Sequence, residues 1–233
     1  MHIMYGFLPI QWVIIWYIIS GIVVLFGIYQ LTKLLKENPE YKPLLALSGA
    51  FMFILSSLKM PSVTGSCSHP CGNALGAILF GVPILSVLSA ITLTFQALLL
   101  NHGGLDTMGA NIFSMGIMGP LAGLLTFKAL KGTKLNSTIN VGISAIIADW
   151  MTYVTTSVEL ALAYPTPSFQ ESLMVFLGIF ALTQIPLAVA EGILTAVIWD
   201  YIKKLRPDIL LKLGVIDESE VENKALIEGI GDN

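Results

Sequence analysis

Charged side chains are scarce in this sequence of 233 residues. Asp, Glu, Lys and Arg make up 12% of it, about half of their usual share in a soluble domain, and apolar residues make up 55%. The mean hydropathy is correspondingly high, at +0.80. The chain has no basic stripe and so offers no surface for nucleic acid. Its long uncharged runs instead predict an integral membrane protein surrounded by lipid.

Motifs that bind nucleotides or perform hydrolysis are also missing. The sequence contains no G-x-x-x-x-G-K-[ST] phosphate loop, so the chain is not expected to draw energy from ATP by itself. It also lacks an H-E-x-x-H motif and a recognisable Ser-His-Asp pattern. We therefore expect a chain that is not an enzyme.

Cysteine and histidine are rare as well, with two and three residues respectively. Cys67 and Cys71 stand on either side of His69 within one short stretch. A disulfide between the two thiols and joint ligation of a soft metal are two interpretations of this stretch. We favour a third, in which both cysteines are ordinary small residues close to a site.

Six apolar runs each approach the roughly 20 residues that a helix needs to cross the hydrocarbon. They occupy residues 10–31, 44–58, 82–100, 108–130, 139–163 and 173–199. Lys and Arg gather at 33–42, 128–134 and 203–206, and the positive-inside rule assigns all three connections to the cytoplasm. Six spans would put the first two on opposite sides. We therefore infer one more crossing, a short irregular segment at about residues 70–81.

The N-terminus carries a potential chelate. Only Met1 precedes His2, and the α-amine, the first amide nitrogen and the His2 imidazole can close around one metal ion in adjoining rings. Tetragonal nitrogen donors favour Ni²⁺ and Cu²⁺, and Co²⁺ ranks below both. The alternative is a disordered terminal histidine. Because residues 3–8 are mostly apolar, we expect them to bury themselves and to carry His2 inward.

The other two histidines lie in connections between spans. His69 belongs to the polar, turn-rich stretch 61–72 and is the natural fourth donor, although an ordinary exterior loop is an equal alternative. His102 belongs to NHGGLD at 101–106, where two glycines allow a close backbone approach or a positive φ. We favour a hydrogen-bonded loop histidine there over a ligand, and a residue shaping the entrance is a further possibility.

Acidic and small residues inside the spans allow two interpretations each. Asp149, Glu159 and Glu191, the last with Gln184 in the same span, are candidates to relay protons or cations. We favour interhelical hydrogen bonds or contact with a partner subunit. Small residues permit close helix packing, but the sequence does not reveal whether they face the bundle or a partner. The principal ones are Gly49, Ala50, Gly109, Gly116, Gly119 and Gly123.

Several ordered motifs resemble those of the CbiM proteins, the substrate-binding (S) components of energy-coupling-factor cobalt transporters. These motifs are MHIMYGFLP at 1–9, SLKMPSVTGSCSHP at 57–70, GAILFG at 76–81, FQALLLNHGG at 95–104 and GANIFSMG at 109–116. The resemblance runs from Met1 to about Arg206. It implies that the metal is held by the Met1 amine, the His2 amide and imidazole, and the His69 imidazole.

The resemblance also implies partners and a substrate. The partners are a transmembrane coupling subunit (CbiQ-like), two ATP-binding subunits (CbiO-like) and often a small auxiliary membrane subunit (CbiN-like). The substrate is Co²⁺ for cobalamin biosynthesis, and Met4 favours the cobalt branch over the nickel-specific relatives. This chain departs from the family at Tyr5, where an acidic residue is common, and at Cys71. Ni²⁺ uptake and a passive divalent-metal channel are the alternatives.

The sequence thus predicts an all-α fold, a polytopic membrane bundle of about seven transmembrane segments. The N-terminus is expected outside and tucked into the bundle, and the C-terminus in the cytoplasm. We assign residues 1–206 to the transmembrane metal-binding domain and residues 207–233 to a polar cytoplasmic tail. The protein is expected in the plasma membrane, as a multi-pass protein.

Overall fold

The computed structural model describes residues 2–61 and 66–221, and helices dominate them. The helices are α1 Ile10–Glu37, α2 Lys42–Ser57, α3 Asn73–Phe80, α4 Val82–Leu100, α5 Met108–Ile112, α6 Gly119–Leu130, α7 Ser137–Ala163, α8 Phe169–Leu205 and α9 Pro207–Lys212. A 3₁₀ turn at Pro39–Tyr41 precedes α2, and a π-helical turn at Phe113–Met118 joins α5 to α6.

Local sequence explains where several helices begin. Proline occupies the first turn of α2, α4, α6 and α9, where its missing N–H has no helical partner to lose. Two long helices have polar N-caps instead. Asn136 accepts a hydrogen bond from the Ile139 N–H at 2.8 Å, and Ser168 accepts one from the Glu171 N–H at 3.3 Å.

Five helical segments are long and apolar enough to cross a membrane. They are Ile10–Glu37, Val82–Leu99, Met108–Leu130, Ser137–Ala163 and Phe169–Leu205. The two other predicted segments correspond to α2, with 16 residues, and α3, with 8 residues. The prediction of a helical membrane bundle is therefore confirmed, whereas the count of seven crossings and the side of each terminus stay predictions.

Helix α3 occupies the stretch predicted as an irregular membrane segment. It is a regular helix, and all eight of its residues are buried. A short element of this kind is tolerated at membrane depth only when protein surrounds it. Its first residue, Asn73, donates hydrogen bonds to the Met115 carbonyl at 2.8 Å and to Thr152 Oγ1 at 3.1 Å. The Met115 carbonyl belongs to the π-helical turn, so α3 fastens that turn to α7.

A small antiparallel sheet lies beside the bundle, and the prediction of an all-α fold omits it. Its strands are β1 His2–Ile3, β2 Met60–Pro61 and β3 Ser66–Ser68, in the order β1-β3-β2. Strands of two or three residues are too short to leave a periodic apolar pattern, which is why the sequence does not reveal them. The sheet joins the N-terminal segment to the connection that carries His69.

The first part of the predicted tail packs against the bundle. Ile209, Leu210, Val215 and Ile216 are buried in the same apolar cluster as Trp199 of α8. Residues 222–233 of that tail lie outside the described residues. The division at residue 206 therefore stays a prediction.

Candidate metal centre

Strand β1 determines where the His2 side chain lies. His2 is paired with Cys67 and Ile3 with Ser66 in the antiparallel ladder of β1 and β3. Residues directly opposite each other project from the same face of a sheet, so His2 and Cys67 share one side. Both His2 and Ile3 are wholly buried, as expected for a segment that is tucked into the bundle.

Three polar residues of the 105–111 region hold the N-terminal segment in place. The Ile3 N–H donates to Asn111 Oδ1 at 2.7 Å, and Thr107 Oγ1 donates to the Ile3 carbonyl at 2.7 Å. The Gly6 N–H donates to Asp106 Oδ2, also at 2.7 Å. Sequence reasoning missed all three roles. The motifs at 101–106 and 109–116 include Asp106 and Asn111, but nothing in those motifs indicates which distant backbone groups they bind.

Tyr5 occupies the position at which the family resemblance implied an acidic residue. Its side chain is 74% exposed. The carboxylate that binds this segment is Asp106, which accepts from the Gly6 N–H and from its neighbour Thr107 N–H at 2.9 Å. The acid contacting the N-terminal segment thus comes from a different part of the chain.

The structure brings His2 and His69 into direct contact. His2 Nδ1 lies 2.5 Å from His69 Nε2, although 67 positions separate the two residues in the sequence. His69 Nδ1 lies 2.9 Å from the Pro70 carbonyl oxygen, which can only accept a proton. The proton of His69 therefore sits on Nδ1, and its Nε2 presents a lone pair toward His2. Met1, the remaining predicted ligand, lies outside the described residues.

Cys67 and His102 complete a cluster of four ligand-type side chains. We call His2, Cys67, His69 and His102 the histidine site. One ligand atom from each lies within 4.8 Å of the others, and all four residues are buried. Cys67 Sγ is 2.9 Å from His102 Nε2, and the His102 ring centroid is 4.2 Å from that of His2. His102 is thus a hydrogen-bonded loop histidine, as favoured from the sequence, and it lies within the cluster.

Gly103 lets the backbone approach the histidine site closely. Its φ of +74° lies in the left-handed region, and an added Cβ would come within 3.1 Å of His2 Cδ2. Both properties agree with the expectation from the sequence that the glycines after His102 allow a positive φ or a close approach. Cys71 takes no part in this cluster, and no disulfide joins Cys67 to Cys71.

Gln96 of α4 is a further residue that sequence reasoning missed. Its Nε2 donates to Ser56 Oγ at 2.6 Å, which fixes the amide against α2. Burial lowers the pKa of the His2 imidazole most, and a side-chain interaction with Gln96 acts in the opposite direction and raises it. Polar partners behind a ligand ring orient it, and Gln96 is placed to do this for His2.

Burial keeps the three imidazoles neutral. It lowers the pKa of His2 and of His69 well below the usual value, and it lowers the pKa of His102 to about 3. In His2, the neighbouring rings of His69 and His102 lower the pKa further. Burial also raises the pKa of the Cys67 thiol. Neutral imidazole is the form that binds a transition metal, so these rings do not have to lose the extra proton of an imidazolium before they bind a cation.

Acid is therefore expected to loosen the N-terminal segment of the metal-free protein. An exposed histidine has a pKa of about 6.5. Because burial lowers these values, the closed state binds fewer protons than the opened state below that pH. The stabilisation is complete above about pH 6.5 and is lost as the pH falls below it. Between about pH 7.5 and pH 5.5, each histidine protonated on opening costs about 1.4 kcal/mol.

Hydrogen exchange of residues 2–8 in the metal-free protein measures this opening, since the Ile3 amide is bonded to Asn111. The variant His102→Gln removes one of the three titrating rings and should reduce the pH dependence by about a third. Exchange that stays equally slow at both pH values in wild type and variant would contradict the protonation argument.

The fold and the sequence match known metal-transport proteins. A family model for CbiM, described as the cobalt uptake substrate-specific transmembrane region, matches residues 2–209. A Methanocaldococcus jannaschii protein named as a cobalt transport protein CbiM is 63% identical over 222 residues, which are 95% of each chain. Another, from Methanococcus voltae, is 65% identical over 213 residues, covering 91% of this chain and 96% of the relative.

A solved crystal structure titled as a transition metal transporter shares the fold, with a TM-score of 0.78 at 23% identity. The alignment covers 89% of this chain and 94% of that chain. Together, the apolar helices and these matches define a multi-pass membrane component of cobalt uptake. The chain belongs to the CbiM family.

Proposed function

We propose that this chain is the S component of an ATP-driven energy-coupling-factor importer that supplies Co²⁺ for cobalamin biosynthesis. Four nitrogen donors capture the ion: the Met1 α-amine, the His2 amide, the His2 imidazole and the His69 imidazole. The ion is the transported substrate, and the other subunits drive its release on the opposite side of the membrane.

The contact between His2 and His69 carries this proposal. Two ring nitrogens at 2.5 Å repel each other unless a proton or a cation lies between them. The bond from His69 Nδ1 to the Pro70 carbonyl leaves His69 Nε2 as an acceptor. His2 Nδ1 is also the ring nitrogen that closes a chelate with the amide nitrogen of the same residue. Both atoms therefore converge on one point, which supports their assignment as ligands of one ion.

Partners must provide the energy, because the sequence has no phosphate-binding loop. We assign this role to two ATP-binding subunits (CbiO-like), linked through a transmembrane coupling subunit (CbiQ-like), with a small auxiliary membrane subunit (CbiN-like). Helix α1 is the most exposed of the five long apolar helices, because only 17% of its most apolar stretch is buried. It therefore offers a face to lipid or to a partner helix. The family match to cobalt uptake supports Co²⁺ over Ni²⁺, and a carrier over a passive channel.

One extra residue before Met1 should abolish tight metal binding. The extension converts the α-amine into an amide and moves it away from His2, so the chelate loses a donor and its ring closure. We expect the Kd for Co²⁺ to rise by at least about 100-fold, more than the usual cost of a lost outer partner. Titration of purified protein with Co²⁺ and with Ni²⁺ measures both affinities and their ratio.

A chain with the same single residue added at its C-terminus is the matched control and should bind like the wild type. Equal affinity of the N-terminally extended and wild-type proteins would exclude the Met1 amine as a donor. Nitrogen donors of this kind bind Ni²⁺ more tightly than Co²⁺ in general, so preferential uptake of Ni²⁺ by the assembled transporter, rather than tighter binding alone, would favour nickel import. Metal flux through vesicles that contain this chain alone would favour a channel.

A further inference from the structure

A second group of ligand-type side chains lies apart from the histidine site. It consists of Cys71, before α3, Asp149 of α7 and Glu191 of α8, which we call the carboxylate site. One ligand atom from each residue lies within 4.8 Å of the others. Cys71 and Glu191 are wholly buried, and Asp149 is 1% exposed. Three separate elements therefore direct a sulfur and two carboxylates at one point inside the bundle.

The two carboxylates lack a cationic partner within the described parts of the chain. The ion pairs of lysine and arginine found there involve other acids. Glu191 instead accepts hydrogen bonds from the backbone N–H groups of Cys71 and Gly72, the latter at 2.8 Å. Backbone donors stabilise a carboxylate but do not cancel its charge, and two buried negative charges side by side are costly.

One oxygen of Asp149 points to a missing ligand. In the amide orientation that satisfies both neighbours, Gln184 donates to Asp149 Oδ2 at 3.0 Å and accepts from the His69 N–H at 3.2 Å. Asp149 Oδ1, in contrast, has no hydrogen-bond partner among the described residues. A buried oxygen without a partner costs free energy, which either a cation or a proton shared with Glu191 would recover.

The two sites are joined by the same short stretch of chain. His69 faces the histidine site, and Cys71, two residues later, faces the carboxylate site. Gln184 connects them a second time, since its amide spans from the His69 backbone to Asp149. The carboxylate site is therefore the next group of ligand-type side chains along this stretch of chain.

We propose that Cys71, Asp149 and Glu191 form a second divalent-cation site, which receives Co²⁺ from the histidine site during transport. This inference rests on the proposed function for the order of the two sites, but the second site is testable by itself. Sulfur and carboxylate donors in a three-residue set bind Co²⁺ without a chelate ring. We therefore expect weaker binding than at the N-terminal chelate. Weaker binding allows the second site to release the ion.

The test is the number of Co²⁺ ions that the purified full chain binds, together with its ultraviolet spectrum. The wild type should bind a tight ion and then a weaker one, and the weaker ion should add a thiolate-to-cobalt charge-transfer band. Asp149→Asn should weaken the second ion by at least about 10-fold and leave the first unchanged. Asparagine keeps an acceptor for Gln184, and an unchanged first ion verifies that the variant folds.

The two cysteines provide a matched pair of variants. Cys71→Ser should abolish the charge-transfer band and the binding of the second ion. Cys67→Ser should leave the band and the binding of the second ion unchanged. A single bound ion in the wild type at millimolar Co²⁺ would overturn the proposal in favour of a shared proton. A second ion that survives both Asp149→Asn and Cys71→Ser would overturn it as well.

The N-terminally extended chain separates this inference from the proposed function. If both hold, the extension removes the tight ion and leaves the weaker one with its charge-transfer band. If only the second site is wrong, the extension leaves no ion bound at all. If only the N-terminal chelate is wrong, the extended chain and the wild type bind the same two ions.

Discussion

Replacing His69 with alanine is expected to weaken Co²⁺ binding by more than about 100-fold. The substitution removes Nε2, the ring nitrogen that lies 2.5 Å from His2 Nδ1. Loss of an outer partner alone usually costs 10–100-fold in metal affinity, and loss of a donor should exceed that range. Because the proposed Met1 and His2 donors belong to a different stretch of the chain, this substitution does not remove them. Residual weak binding at three nitrogens is the expected result.

His102→Ala is the matched control, because His102 is also a buried imidazole of the histidine site. Its Nε2 contacts Cys67 Sγ rather than His2 Nδ1, so its loss should cost less than about 10-fold. An equal or larger loss at His102 would mean that the ion is held by the whole histidine site. In that case Cys67 would add a thiolate charge-transfer band to the tight ion, which four nitrogen donors do not produce.

The sequence indicated those parts of the candidate site whose residues are neighbours along the chain. The proposed chelate of Met1 and His2 involves neighbouring groups, so its chemistry is readable without a fold. His69 followed from its polar connection and from the family resemblance, and its contact with His2 agrees with that prediction. The assignment of these residues as metal ligands stays a prediction. The sequence left the roles of Cys67 and His102 open and gave no sign of Gln96, because their positions depend on how separate loops and helices meet.

Charge patterning located a segment that hydropathy alone does not identify. The basic connections required an additional segment at about 70–81, and α3 lies there. Its irregular backbone was the wrong detail, since Asn73–Phe80 form a regular helix with every residue buried. The three-stranded sheet was missed entirely, because its pairing joins β1 to a connection more than sixty positions away.

The packing partners of the small residues also could not be predicted from the sequence. Their spacing suggested close packing without saying against what. The structure directs Gly109 at α1, Gly116 at α4, and Gly119 and Gly123 at α7, so all four face the bundle. Gly49 and Ala50 differ, since they line an apolar groove of about 410 Å³ between α1, α2 and α4.

Gly109→Ala is expected to destabilise the protein strongly and to weaken metal binding with it. An added Cβ would lie 2.6 Å from the Tyr17 nitrogen and 2.8 Å from the Trp16 carbonyl carbon. These are backbone atoms of α1, so no side-chain rotation relieves the overlap. The two helices must therefore move apart. This movement opposes the hydrogen bond that Ser20 Oγ donates to the Gly109 carbonyl at 2.7 Å. Overpacking costs typically 1–3 kcal/mol, and a clash with a rigid helix should reach the upper end.

Gly21→Ala tests whether the effect comes from the contact rather than from the residue type. Gly21 lies on α1 with nothing within 4 Å of an added Cβ, so alanine there should be neutral or stabilising by up to about 1 kcal/mol. Thermal unfolding of both variants in detergent, followed by Co²⁺ titration, distinguishes an effect of the contact from an effect of the residue type.

Since membrane helices gain little from the hydrophobic effect, such close contacts supply much of their packing energy. Equal unfolding of Gly109→Ala and wild type would show that α1 does not need to approach α5 so closely.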